Sequence, residues 1–136
     1  MKKNNLLIAT HGDFAPGILD AASLIFGEIK DITAMSLKAG MQVDDFRNQI
    51  AEYIQQHDEE NILILVDLLS GSPFNSVIPF LQKENIYVVT GLNLPMLLEV
   101  GMSKDFMEFD ELCKLAKNIG TDGIVSKDEI LNRGRK

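Results

Sequence analysis

Two polar residues stand at the ends of apolar segments, where they could carry chemistry together. Residues 6–9 form an apolar segment. His11 lies just after that segment, and Gly12 follows it. An imidazole there can be a nucleophile, a general base or a proton shuttle, or simply a loop side chain satisfied by its neighbours. Asp67 directly follows the apolar residues 62–66. It is either a solvated acid of a turn or a buried carboxylate that needs a hydrogen-bond partner. If Asp67 accepts a hydrogen bond from one imidazole nitrogen, the other nitrogen is free to attack.

A third feature is the turn Ser70-Gly71-Ser72, followed by Pro73. On one interpretation Ser72 caps a helix whose first residue is Pro73. On the other, the amides of that helix start and the serine hydroxyls form a cradle for an anion. The two are compatible, and a helix opening at Pro16 adds a second positive helix end near His11. A histidine, an orienting acid and a phosphate cradle together favour phosphoryl transfer through a phosphohistidine.

The elements that must position these groups alternate between strand and helix. Strands are predicted at residues 6–9, 32–36, 62–66 and 86–90. Helices are predicted after Pro16, over residues 43–57, from Pro73 to residue 80, after Pro95, and over residues 109–119 with Gly120 as the stop. This pattern predicts an α/β fold with a doubly wound, mainly parallel sheet of about four strands and helices on both faces. With strand one central and flanked by strands two and three, the expected sheet order is 2-1-3-4. Ligands gather at the carboxyl ends of such strands, where His11 and residues 67–72 would meet.

Three segments depart from this regular pattern. Pro79 makes the third helix short or kinked. Residues 123–125 predict a short C-terminal strand. A single domain is expected over residues 1–126, followed by a polar, frayed tail over residues 127–136.

Composition excludes several classes of function. The 136 residues carry 13 basic and 20 acidic side chains, a net charge of −7, which disfavours binding to nucleic acid or to a membrane surface. One cysteine and two histidines exclude a disulfide framework and a multi-histidine metal site. Cys113 is predicted to be a buried apolar residue, and His57 a cation at a helix end. No apolar run is long enough to span a membrane, so no direct membrane insertion and a cytosolic location are expected.

Several motifs resemble the enzyme IIA domain of the mannose-type (mannose, fructose and sorbose) phosphoenolpyruvate-dependent sugar phosphotransferase system. They are Thr10-His11-Gly12, Asp67, residues 71–75 (GSPFN), and residues 91–97 (GLNLPML) with Glu99. Residues 109–112 (FDEL) also resemble the family, and the match runs in order over about residues 5 to 125.

The resemblance implies a cytosolic phosphocarrier that needs no cofactor and no metal. His11 would take a phosphoryl group from the phosphocarrier protein HPr on its tele nitrogen and pass it to enzyme IIB, here a separate chain. The permease components IIC and IID would be served indirectly. Asp67 would orient the imidazole, with the phosphate-binding residues Thr10, Gly12, Ser70, Gly71 and Ser72 around it. A homodimer is implied, with a C-terminal strand near residues 123–125 exchanged between subunits.

Asp13 departs from the family pattern, since its carboxylate adds negative charge beside a site for phosphate. Either it points away or it tunes the transfer.

Other interpretations stay open on the sequence alone. Residues 10–17 could hold a flavin phosphate in a flavodoxin-like binding module, although they offer one hydroxyl and one aromatic ring. A hydrolase would use His11, Asp67 and Ser72 as a triad, but no Gly-x-Ser-x-Gly elbow is present. A signalling receiver would need a carboxylate pair where His11 and Gly12 stand. A related phosphocarrier serves dihydroxyacetone kinase, and the residues after Gly71 resemble the sugar branch instead.

Overall fold

A computed structural model describes residues 2–133, which form a four-stranded parallel sheet. The strand order is β2-β1-β3-β4, as the sequence predicts. The strands are β1 (Asn4–His11), β2 (Ile32–Leu37), β3 (Asn61–Val66) and β4 (Ile86–Val89). β1 and β3 are buried on both faces, which explains why they are continuous apolar runs rather than alternating ones.

Helices cover both faces of the sheet. They are α1 (Phe14–Phe26), α2 (Val43–Gln56), α3 (Ser72–Val77), α4 (Leu94–Ser103), α5 (Phe109–Asp122) and α6 (Lys127–Asn132), with a 3-10 turn at Ile78–Phe80. Residues of α1, α4 and α5 share one buried cluster with Leu6 and Ile8. Residues of α2 and α3 share the other with Leu7 and Ala9. Side chains alternate along a strand, so His11 belongs to the face that α2 and α3 cover.

Two helix boundaries differ from the prediction. α3 begins at Ser72 rather than Pro73. Gly71 is the residue before the helix, and its φ of 95° is not helical, so the first helical residue is Ser72. α5 continues past Gly120 to Asp122. A Cβ at Gly120 would lie 2.6 Å from Cε of Met96, so this glycine lets α5 pack closely on α4 rather than ending the helix. The kink expected at Pro79 is present as the 3-10 turn.

The C-terminal segment also differs from the prediction. Residues 123–125 form no strand in the single chain, so their exchange between subunits stays a prediction. Residues 127–132, expected to be frayed, form α6, because Ser126 and Glu129 make a capping box at its start. The last three residues of the predicted tail lie outside the described part of the chain. Within residues 2–133, no helix has the length and apolar character needed to cross a membrane.

Candidate active site at the carboxyl end of the sheet

The two central strands bring His11 and Asp67 into contact. β1 and β3 pair with Ala9 opposite Val66, so both polar residues lie just beyond the last paired positions. The backbone N–H of His11 donates to Oδ2 of Asp67 at 3.0 Å. The imidazole Nδ1 lies 3.0 Å from the same oxygen. One carboxylate oxygen therefore holds both the backbone and the ring of His11.

This contact determines which ring nitrogen is free. A carboxylate accepts hydrogen bonds, so Nδ1 carries the proton and Nε2 keeps its lone pair. The side chain of His11 is 46% exposed, whereas that of Asp67 is 17% exposed. The other oxygen of Asp67, Oδ1, is buried and has no hydrogen-bond partner within residues 2–133. Within the described residues, the hydrogen bonds of this carboxylate therefore go to His11 alone.

Gly71 lies against the opposite edge of the imidazole. A Cβ at Gly71 would be 2.8 Å from both Cε1 and Nε2 of His11. Real Cβ atoms do not approach other atoms so closely, and the φ of 95° independently favours glycine. The ring is thus held between the carboxylate of Asp67 and the backbone of Gly71.

Thr10 and Gly12 fix the strand end that carries His11. Thr10 is fully buried, and its hydroxyl accepts a hydrogen bond from the N–H of Ala15 at 2.8 Å. Gly12 has a φ of 55°, and its N–H donates to the carbonyl of Leu37 at 2.8 Å. The hydroxyl of Thr10 therefore satisfies an amide in the first turn of α1, and both residues hold the loop from β1 into that helix in place.

Ser70 and Ser72 flank Gly71, with Ser70 exposed and Ser72 half-buried. The expectation that Ser72 caps α3 is wrong, because Gly71 occupies the cap position and no side chain caps the helix. Ser72 is instead the first helical residue, and its carbonyl accepts from the hydroxyl of Ser76 at 2.6 Å. The hydroxyl of Ser72 therefore makes no capping hydrogen bond to α3.

Asp13 has a partner that the sequence did not indicate. Its Oδ1 lies 3.5 Å from Nζ of Lys38, and both side chains are exposed. Lys38 comes directly after β2, whose last residue, Leu37, is paired with His11. The structure thus places a cation beside the acid that interrupts the family pattern.

His57 and Cys113 lie away from this site, as their predicted structural roles require. His57 ends α2, where its ring stacks on Tyr53 at a centroid distance of 4.1 Å and its Nδ1 lies 2.7 Å from the carbonyl of Tyr53. Cys113 is buried, and that burial raises the pKa of its thiol to about 12. Among residues 2–133, no group of three or more histidine, cysteine or acidic side chains is arranged to hold a metal ion.

The sequence interpretation missed an apolar rim beside His11. Phe14, Leu68 and Leu69 are all exposed, although each lies within three residues of His11 or Asp67. We call these three residues the collar. The pair Leu68-Leu69 in a loop between an acid and a serine was the available signal, since apolar side chains in such loops often mark contact surfaces.

Comparison with known proteins identifies the family of the chain. The family profile EIIA-man, described as "PTS system fructose IIA component", matches residues 5–117. The sorbose-specific EIIA component of Klebsiella pneumoniae is 28% identical over 79% of this chain and 80% of its own length. The mannose-specific EIIAB component of Escherichia coli K12 is 32% identical over 88% of this chain and 38% of its own length.

Solved structures agree as well. The phosphotransferase system component EIIA from Streptococcus agalactiae superposes with a TM-score of 0.82 at 32% identity, covering 90% of this chain and 96% of that one. The profile covers most of the sequence, and the solved structure covers nearly all of the fold. The chain therefore belongs to the mannose family of phosphotransferase system EIIA components, which are phosphotransferases of sugar transport.

Proposed function

We propose that this chain is a phosphocarrier in which Nε2 of His11 takes a phosphoryl group from phosphorylated HPr and passes it to a histidine of enzyme IIB. The observation that carries the proposal is the 3.0 Å contact between Nδ1 of His11 and Asp67 in a side chain that is 46% exposed. That arrangement leaves one ring nitrogen as a nucleophile at the protein surface.

The transfer step balances without an outside proton. The lone pair of Nε2 attacks the phosphorus of the donor phosphohistidine, and the donor's P–N bond breaks as the new one forms. The donor ring, which starts as an N-phosphorylated imidazolium with a proton on its other nitrogen, leaves as neutral imidazole, and His11 becomes an N-phosphorylated imidazolium that keeps its proton on Nδ1. Asp67 stabilises the positive charge that develops on the ring. The reverse sequence on enzyme IIB returns His11 to its starting state.

The surroundings of His11 support protein partners. The collar of Phe14, Leu68 and Leu69 offers exposed apolar area in the two loops that follow His11 and Asp67, and apolar residues form the buried centre of protein interfaces. The net charge of −7 would attract a basic docking face on HPr. We place this relay in the cytoplasm, with the permease components IIC and IID served through enzyme IIB.

The first test is phosphorylation in vitro. Incubation with phosphoenolpyruvate, enzyme I and HPr should add one acid-labile phosphoryl group, which intact mass spectrometry detects. His11→Gln should lose the label because it lacks the nucleophile, whereas the control His57→Gln should retain it. A wild-type chain that takes no label would contradict the proposed function.

Asp67→Asn tests the role of the carboxylate. An amide cannot supply the charge that favours the imidazolium, so the rate of transfer to His11 should fall by about a hundredfold or more. Far-ultraviolet circular dichroism and the unfolding midpoint should remain close to wild type. Unfolding of the variant would make Asp67 a structural residue, and an unchanged transfer rate would remove it from the mechanism.

Gly71→Ala tests the close approach of the loop to the ring. The added methyl group would occupy space within 2.8 Å of Nε2, so ring or loop must move, and the transfer rate should fall by about a hundredfold. Gly27→Ala is the matched control, because Gly27 also has a positive φ, of 81°, but has no atom within 4 Å of an added Cβ. It isolates backbone strain from the clash. Equal transfer rates in the two variants would show that the contact with His11 is not required.

We propose in addition that the chain forms a homodimer through its C-terminal region. β4 is an edge strand, and such an edge offers backbone groups for pairing with another chain. Tyr87 on β4 and the C-terminal residues Ile124, Ile130 and Leu131 are exposed apolar side chains.

Sedimentation equilibrium should give twice the chain mass of 15.1 kDa. Ile124→Glu should shift the protein toward monomer, since it places a charge in the interface, whereas Ile78→Glu on another exposed position should not. A wild-type monomer would contradict the dimer.

A further inference from the structure

The ion pair between Asp13 and Lys38 lies at the strand ends that carry His11. Asp13 is two residues after His11, and Lys38 is one residue after Leu37, the partner of His11 in the β1–β2 register. The N–H of Gly12 donates to the carbonyl of Leu37 at 2.8 Å, which ties the two loops together. Oδ1 of Asp13 and Nζ of Lys38 are 3.5 Å apart, with side chains 72% and 62% exposed.

A phosphoryl group on Nε2 would change the charges at this place. It adds about two negative charges to the ring that Asp67 contacts, in the same loop that carries Asp13 two residues further on. Asp67 is offset by the imidazolium ring that it contacts. Asp13 has no such compensation from the ring, and its described ion-pair partner is Lys38. An exposed ion pair of this kind is weak, so the ammonium group can turn toward a stronger anion nearby at little cost.

We propose that Lys38 is the charge-compensating residue of the phosphohistidine. In the unphosphorylated chain it offsets Asp13, and as the phosphoryl group forms its ammonium turns from Asp13 toward the new dianion. The proposal rests on the proposed function and deepens it, because it assigns the cation of the site. Asp13 and Lys38 act as a unit, in which the positive charge of the lysine offsets the repulsion between the Asp13 carboxylate and the phosphoryl group.

The pair predicts opposite effects for its two members. Lys38→Met leaves the charge of Asp13 uncompensated, so it should slow phosphorylation of His11 by about twofold to fivefold. Asp13→Asn frees the ammonium for the phosphoryl group and should accelerate phosphorylation by a similar factor. The double variant should lie close to the parent, and Lys38→Arg should retain the parental rate because it keeps the charge. Both positions are exposed, so all four chains are expected to fold.

The test uses a small phosphoryl donor, so that it does not depend on a protein partner. Each variant is made in the full chain with His57→Gln, which leaves His11 as the one histidine. Phosphoramidate is the donor, and intact mass spectrometry gives the rate of labelling at low salt and at about 1 M salt. The differences between variants should shrink at high salt, where the Debye length falls to about 3 Å.

The outcomes separate this proposal from the proposed function. Equal labelling rates in the parent and the two single variants would overturn the role of Lys38 while leaving His11 as the acceptor. A parent that takes label from phosphoramidate but none from phosphorylated HPr would overturn the carrier function and not the charge compensation. Slowing by Lys38→Met that persists unchanged at 1 M salt would also overturn the proposal, because an electrostatic effect on exposed groups is screened.

Discussion

The pairing register of β1 and β3 is the constraint on which the site depends. Within β1, the N–H groups of even-numbered residues such as Leu6 point toward β2, and that series continues to Gly12. The N–H of His11 therefore points toward β3, whose last residue is Val66. Since β3 offers no further strand carbonyl there, the side chain of Asp67 accepts that N–H and continues the ladder. The carboxylate that orients the imidazole is thus also a sheet partner.

Because one oxygen of Asp67 contacts both the backbone and the ring of His11, the geometry of the candidate site is a consequence of the fold. A slip of one residue between the strands would turn every side chain of β1 to the other face, and the two apolar clusters oppose such a slip. Because the strands are buried on both faces, their register is strongly specified. Asp67 on one side and Gly71 on the other hold the ring of His11 in a fixed position relative to these strands.

Much of the fold and the central pair of the site could be predicted from the sequence. Alternation of strand and helix segments predicted the parallel α/β sheet, and the assumption that β1 is central predicted its strand order. The position of Asp67 after an apolar strand indicated its contact with His11. Contacts between residues distant in sequence could not be predicted in this way. Gly120 has the character of a helix stop, yet it lies inside α5 and packs against Met96.

Two further details could not be predicted, because they also depend on contacts between residues that are distant in sequence. The sequence shows a serine-rich turn at Gly71, but the absence of a side chain there matters because His11 fills the space. Lys38 has no local pattern to mark it, and the pairing of β2 with β1 brings it beside Asp13.

A carrier must release the group that it accepts. If His11 carries a phosphoryl group as proposed, the two acids would act in opposite directions: Asp67 would stabilise the positive ring, whereas Asp13 would repel the phosphoryl group attached to it. Such an opposition would let the same histidine both receive and donate, because neither state of the ring would be favoured by both acids.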